Sequence, residues 1–245
     1  METFTTDWLG GTAERLFAKH RGDRIAEIQW SELATSHLAD DELDRLRTVW
    51  TQSAHQEWCA AGAFTTLLQH LLLARAPVDL IGMAGRFVAD EMVHVELASR
   101  MAMAYGGGVP LEVDYSAVCP QVDGDTPLLQ ACAVAIRVSC VGESFSLPII
   151  AREFSAATDP VAKRVLGRIA ADEAPHATVG WLVLDWAKSL LTEDDRAFLG
   201  TVADDAIGAL RPALVGSPKQ LDYYEWILRN RITEPLSERR IPISG

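Results

Sequence analysis

The sequence predicts an all-α protein, a bundle of four long helices with a leading extension and two further helices behind it. Three observations predict it. Apolar residues recur at helical spacing through most of the chain. Cap residues, first-turn prolines and trailing glycines punctuate those stretches. The chain also echoes itself once, at Asp90-Glu91-Met92-Val93-His94 and Asp172-Glu173-Ala174-Pro175-His176. At 245 residues it suits one large domain and can bury a core without staples.

Residues 1–39 read as an extension of short helices or irregular structure, packed on the bundle through Trp8, Leu16 and Trp30. The bundle spans 40–191. Its first helix starts at Asp40 or Asp41 and runs to about Arg75. Pro77 suits the first turn of the second helix, which ends at Tyr105 before Gly106-Gly107-Gly108. Residues 106–125, rich in Gly and Pro, form a long connection. Thr126 caps the third helix, with Pro127 in first position, and it ends near Ala157. Asp159 caps the fourth, with Pro160 in first position, and it runs to about Leu191. Residues 192–245 hold a fifth helix opened by Thr192-Glu193-Asp194-Asp195, a sixth from Ser217-Pro218 that ends before Pro235, and an extended tail. A connection of about twenty extended residues reaches ~65 Å, against ~45 Å for a 30-residue helix. It can therefore return along the bundle and set the second and third long helices parallel.

With 22 Lys and Arg against 34 Asp and Glu, the net charge is −12, which argues against nucleic acid or an anionic membrane as partner. The first eleven residues show no signal-peptide pattern. The longest charge-free run, Trp58 to Ala74, contains Gln69 and His70 and reads as a buried helix rather than a membrane span. The four cysteines form no CxxC pair, so a reducing cytoplasm is the expected compartment.

The echoed motif carries the chemistry. A Glu and a His three residues apart share one helix face and can grip one cation. With 16 Glu and 6 His, ExxH is expected by chance about 0.4 times, and with a preceding Asp about 0.03 times. Two such motifs therefore mark Glu91, His94, Glu173 and His176 as metal ligands. Asp90 and Asp172, four residues before each His, can accept a hydrogen bond from the ring nitrogen that does not hold metal. Two divalent ions need further carboxylates, one from each remaining long helix. Glu57 lies 19 residues before the hinge at Ala76, while Glu91 and His94 lie 15 and 18 after it. Glu143 lies 15 before Thr158, with Glu173 and His176 15 and 18 after. Equal heights select Glu57 over Glu42 and Glu143 over Glu153. Both are isolated charges in apolar surroundings, costly unless paired or metal-bound; a salt bridge from Glu143 to Arg137 is the competing expectation.

With these six positions the sequence resembles the ferritin-like di-iron carboxylate superfamily over residues 40–191. The Asp before each ExxH is similar to the motif of the bacterial multicomponent monooxygenases. The resemblance implies a ferritin-like four-helix bundle with one long crossover, holding two iron ions, or manganese with iron. Glu57 would be terminal on one metal with His94, and Glu91 a bridge. Glu143, Glu173 and His176 would serve the second metal. It further implies an O2-activating oxidase or oxygenase for a small organic substrate, fed by an external electron donor, with a homodimer left open. A ferroxidase or iron-handling protein is the alternative, and a metal-free helical scaffold a third reading. Tyr105 lies 11 residues past His94, and no Cys-rich module is present, which disfavours a stable tyrosyl radical and a rubrerythrin. Pro175 and Pro148 should bend their helices, either opening a substrate pocket, for which Ala60, Ala61, Phe64, Ser139 and Ser146 are candidate walls, or merely adapting the helix to metal, with those residues as ordinary core packing. His55 and His70 read as structural.

Overall fold

The computed structural model describes residues 1–22, 25 and 28–244. Its helices are α1 (Gly11–Arg21), α2 (Asp40–Leu73), α3 (Val78–Ala104), α4 (Pro127–Ala156), α5 (Pro160–Ala187), α6 (Glu193–Leu210) and α7 (218–238). Helices α2 to α5 form the bundle, and α6 and α7 pack against one end of it. Strands β1 (Glu2–Thr3) and β2 (Glu112–Val113) pair antiparallel and tie the chain's start to the α3–α4 crossover.

The expected stop and start signals act as written. Thr126 and Asp159 cap α4 and α5, and Thr192 with Asp195 forms a capping box on α6. Between α2 and α3, Arg75 takes φ 56°, while Arg75 and Ala76 donate back to Leu72 and Leu71. This is the Schellman arrangement, and it makes the hairpin that sets Glu57 level with Glu91. The crossover returns along α2. Arg47 donates to the Gly107 carbonyl, Val109 N–H donates to Thr51, and the Val118 carbonyl lies so near Gly62 that a Cβ there would stand 2.2 Å from it.

Two features depart from expectation. Helix α4 turns to π geometry over Ile136–Glu143, and α7 does so over Leu228–Thr233. The second lets α7 run three residues past Pro235 instead of stopping before it, because a wider turn precedes the position where the proline ring would crowd the backbone. Trp8 and Leu16 are exposed, so they do not anchor the extension. Among its described residues Phe4, Ile25, Ile28 and Leu33 are buried, and α1 buries none completely.

The core has two halves. One joins the hairpin end of α2 and α3 (Phe64, Leu67, Phe87) to α4, α6 and α7. The other joins the far ends of α2, α3 and α5 (Ala54, Leu97, Met101, Val165) to Phe4, Ile25 and Val113. Helix α4 is long and apolar enough to cross a membrane, but 61% of its most apolar window is buried against the rest of the bundle. The carboxylate and histidine cluster sits at the junction of the two halves.

Candidate metal centre

Helices α2, α3, α4 and α5 each bring ligand-type side chains to that junction. Glu91, His94, Glu173 and His176 are buried, Glu143 is 9% exposed and Glu57 partly buried. Ligand atoms of Glu57, Glu91, His94 and Glu173 all lie within 4.8 Å of one another. His94 Nδ1 is 3.4 Å from Glu91 Oε2, 3.0 Å from Glu173 Oε1 and 3.8 Å from Glu57 Oε2. His176 Nδ1 is 2.8 Å from Glu91 Oε1 and 3.0 Å from Glu173 Oε2. Glu91 and Glu173 thus each address both histidines, one oxygen apiece. Glu143 stands on the His176 side, where the charges of Glu173 and Glu91 act on it, and its Oε2 accepts from the Ser146 hydroxyl at 3.2 Å. Arg137 is exposed, and Ser146 rather than Arg137 is Glu143's neighbour on α4.

The outer partners are crossed. Asp172 Oδ2, on α5, lies 3.4 Å from His94 Nε2 on α3, and Asp90 Oδ2, on α3, lies 3.8 Å from His176 Nε2 on α5. The expectation that each Asp serves the His of its own motif is corrected. Both motifs point their Glu–His face across the α3–α5 interface, so each outward ring nitrogen meets the neighbouring helix first.

Burial opposes charge throughout the cluster. Burial pushes the Glu57 carboxyl up to about 8, though His94 partly offsets it. Burial, then the charges of Glu173 and Glu91, raise Glu143 well above the carboxylate range. For Glu173 burial is outweighed by the hydrogen bond with His176 and the close approach of His94, which hold it below that range. The histidines answer in kind: burial resists their charge, but Asp172 and Glu173 raise His94, and Asp90 and Glu173 raise His176 to about 11. The surrounding carboxylates thus favour protons on both imidazoles, protons that bound cations would displace.

The donors fit metal ions. Both oxygens of the wholly buried Glu91 and Nδ1 of His94 lack a hydrogen-bond partner of good geometry, although cationic neighbours stand close. Such atoms are costly in a protein interior unless a ligand completes them. Mixed imidazole and carboxylate donors suit iron and manganese.

Sequence reading missed three neighbours. Phe87 packs on the His176 ring at 4.3 Å between centroids, with Phe64 at 5.1 Å. Ser139, expected as a pocket wall, instead inserts into α5: Gly180 N–H donates to its hydroxyl at 2.8 Å, and the hydroxyl donates to the His176 carbonyl at 2.5 Å. A Cβ on Gly180 would stand 2.7 Å from Cys140 Sγ, so only glycine lets α4 approach this closely. The Ser139 hydroxyl thus bridges the His176 carbonyl and the Gly180 N–H along the α5 ladder, in the turn after Pro175. The third is His20, 3.4 Å from Asp90 Oδ1. A cavity of about 530 Å³ does exist, but under residues 5–8 on the outer side of α2 and α3, lined by Trp8, Phe17, Trp58, Met92 and Tyr115 and by none of the six predicted ligands. His55 stacks edge-on with Phe4 and His70 keeps a buried ring nitrogen; neither joins the cluster.

No family model and no curated relative matches the chain by sequence. Among solved structures, a single-site mutant of an R2-like ligand-binding oxidase with an anaerobically reconstituted Mn/Fe cofactor matches with a TM-score of 0.53. The match covers 98% of this chain and 96% of that one at 17% identity. At that identity the likeness speaks for the fold, and the fold is the ferritin-like four-helix bundle with one long crossover.

Proposed function

We propose that this chain is an oxidoreductase that holds two first-row transition ions, an iron pair or manganese with iron, and oxidises a small organic substrate with O2. The observation that carries the reading is the pair Glu91 and Glu173, each placing one oxygen near each histidine, so that both carboxylates would be available to two cations. Bound metals would supply one-electron redox steps and open positions for O2. The chain's own part is binding and orientation. Glu57 and His94 hold one position, Glu143 and His176 the other, and Asp172 and Asp90 fix the two rings from outside. Phe64 and Phe87 exclude water from the His176 side. Glu57 and Glu143 carry protons that metal loading displaces. The structural neighbour, an oxidase with a Mn/Fe cofactor, supports this reading. An external electron donor, a cytoplasmic setting and the absence of nucleic-acid or membrane partners complete the proposal.

The test is anaerobic loading with Fe(II), alone or with Mn(II), followed by exposure to O2. Two metals per chain, and O2 uptake that a reductant sustains and candidate substrates accelerate, are expected. Fe(II) oxidation with mineral growth in a many-subunit assembly would favour iron storage, and absence of bound metal would leave only a helical scaffold.

A further inference from the structure

Helix α1 reaches the metal centre from outside the bundle. It buries no residue completely; Phe17 packs partly buried against the core, and its last two residues make polar contacts with the bundle. His20 Nε2 lies 3.4 Å from Asp90 Oδ1, the Arg21 guanidinium pairs with buried Glu96, and the Arg21 carbonyl accepts from Arg168 at 3.2 Å. Arg168 in turn holds Asp172 at 2.5 Å.

The two outer carboxylates are not held alike. Asp172 is clamped within α5 by Arg168, whose side chain is 16% exposed. Asp90 has Arg86 on its own helix at 3.0 Å, but that side chain is 64% exposed and free to leave. Among the described residues the partner of Asp90 from a different element outside the cluster is His20, which takes the oxygen that Arg86 does not. Asp90 Oδ2 stands 3.8 Å from His176 Nε2, so whatever places Asp90 bears on the carboxylate behind that ring.

We propose that His20 is the outer positioning residue of the His176 metal position, so that seating of α1 and metal occupancy there are coupled. The coupling is reciprocal: a metal that orders His176 and Asp90 also favours the seated helix. The inference rests on the di-metal reading of the cluster.

Mn(II) titration of the full chain tests it, combined with hydrogen exchange across residues 11–21. Wild type should bind two ions and slow exchange in α1 on loading. His20→Ala, a good helix former at an exposed site, should weaken one position about tenfold, the lower end for loss of an outer partner, and uncouple α1 exchange from metal. His20→Gln, which keeps a donor for Asp90, should restore most of both. The loss should persist in a His94→Ala background and vanish in His176→Ala. Equal weakening of both positions, no weakening, or α1 exchange indifferent to metal in wild type would overturn the proposal. Wild type binding fewer than two ions would instead overturn the di-metal reading itself.

Discussion

The two DExxH segments are nearly the same in sequence, yet the structure treats them differently. On α3 the ladder around Glu91 and His94 runs as an ordinary α-helix over Val78–Ala104. On α5 the equivalent turn contains Pro175, and Ser139 of α4 stands between the His176 carbonyl and the Gly180 N–H. The surroundings differ as well. His94 has Glu57, the most open of the four glutamates, and an Asp held by a half-buried arginine. His176 has the buried Glu143, two phenylalanines, and an Asp reached by the N-terminal helix. A repeated ligand motif thus yields two unequal positions, because what surrounds each copy comes from helices that are not repeats of each other.

The comparison breaks first at the carboxylates both positions share. Glu91→Ala or Glu173→Ala should empty both positions, a loss beyond the roughly 10–100-fold expected for an outer partner. Glu57→Ala should weaken chiefly the His94 side. Metal counting by elemental analysis reads the difference, and a Glu91→Ala protein that keeps one ion at full affinity would refute the shared role.

The crossed carboxylates come next. Asp172→Asn should weaken the His94 position about 10–100-fold and Asp90→Asn the His176 position. Site-resolved titration decides, since effects on each motif's own histidine would overturn the crossing.

Acidity acts on both positions, at about tenfold per pH unit for each proton displaced. Glu57 is raised from 4.5 to about 8. Between those values the folded metal-free protein keeps a proton that the unfolded chain has released. Its contribution to metal-free stability is therefore full below 4.5 and lost as pH rises toward 8. Metal must expel that proton, so affinity should climb with pH and flatten above about 8 as far as Glu57 is concerned. Proton release by calorimetry in two buffers checks this, and pH-independent affinity between 6 and 8 would count against it.

The smallest effect belongs to the α4–α5 seam. Ser139→Ala removes the inserted hydroxyl and lets α5 re-form its own bond, at a net cost of about 1 kcal/mol. Urea unfolding measures the cost, and the His176 position should shift more than the His94 position.

Much of this was legible in one dimension. Caps and first-turn prolines announce helix ends because they satisfy or forgo specific backbone donors, a local matter. Counting residues from two hinges placed Glu57 and Glu143 level with the motifs, since rise per residue hardly changes along a helix. The π turn ahead of Glu143 turns the helix face without spoiling that height, so the count survives a feature the sequence does not announce. The crossed Asp partners were not legible. Asp and His four apart look like neighbours on one helix, and only the packing of α3 against α5 shows which ring each carboxylate meets. His20 was not legible either, lying in a stretch with no strong period and contacting a residue seventy positions away in the chain.

By itself, then, the sequence determined the all-α class, the order and capping of the long helices and the six residues fit to hold metal, because helical period, backbone donors and ligand spacing are local properties. The tertiary structure alone decided which Asp lies nearest which His, that a serine of α4 bridges two backbone groups of α5, and that His20 of the N-terminal helix meets Asp90. Those outcomes depend on how helix faces and side chains meet across gaps of a few ångströms, a relation between distant segments that no local pattern encodes.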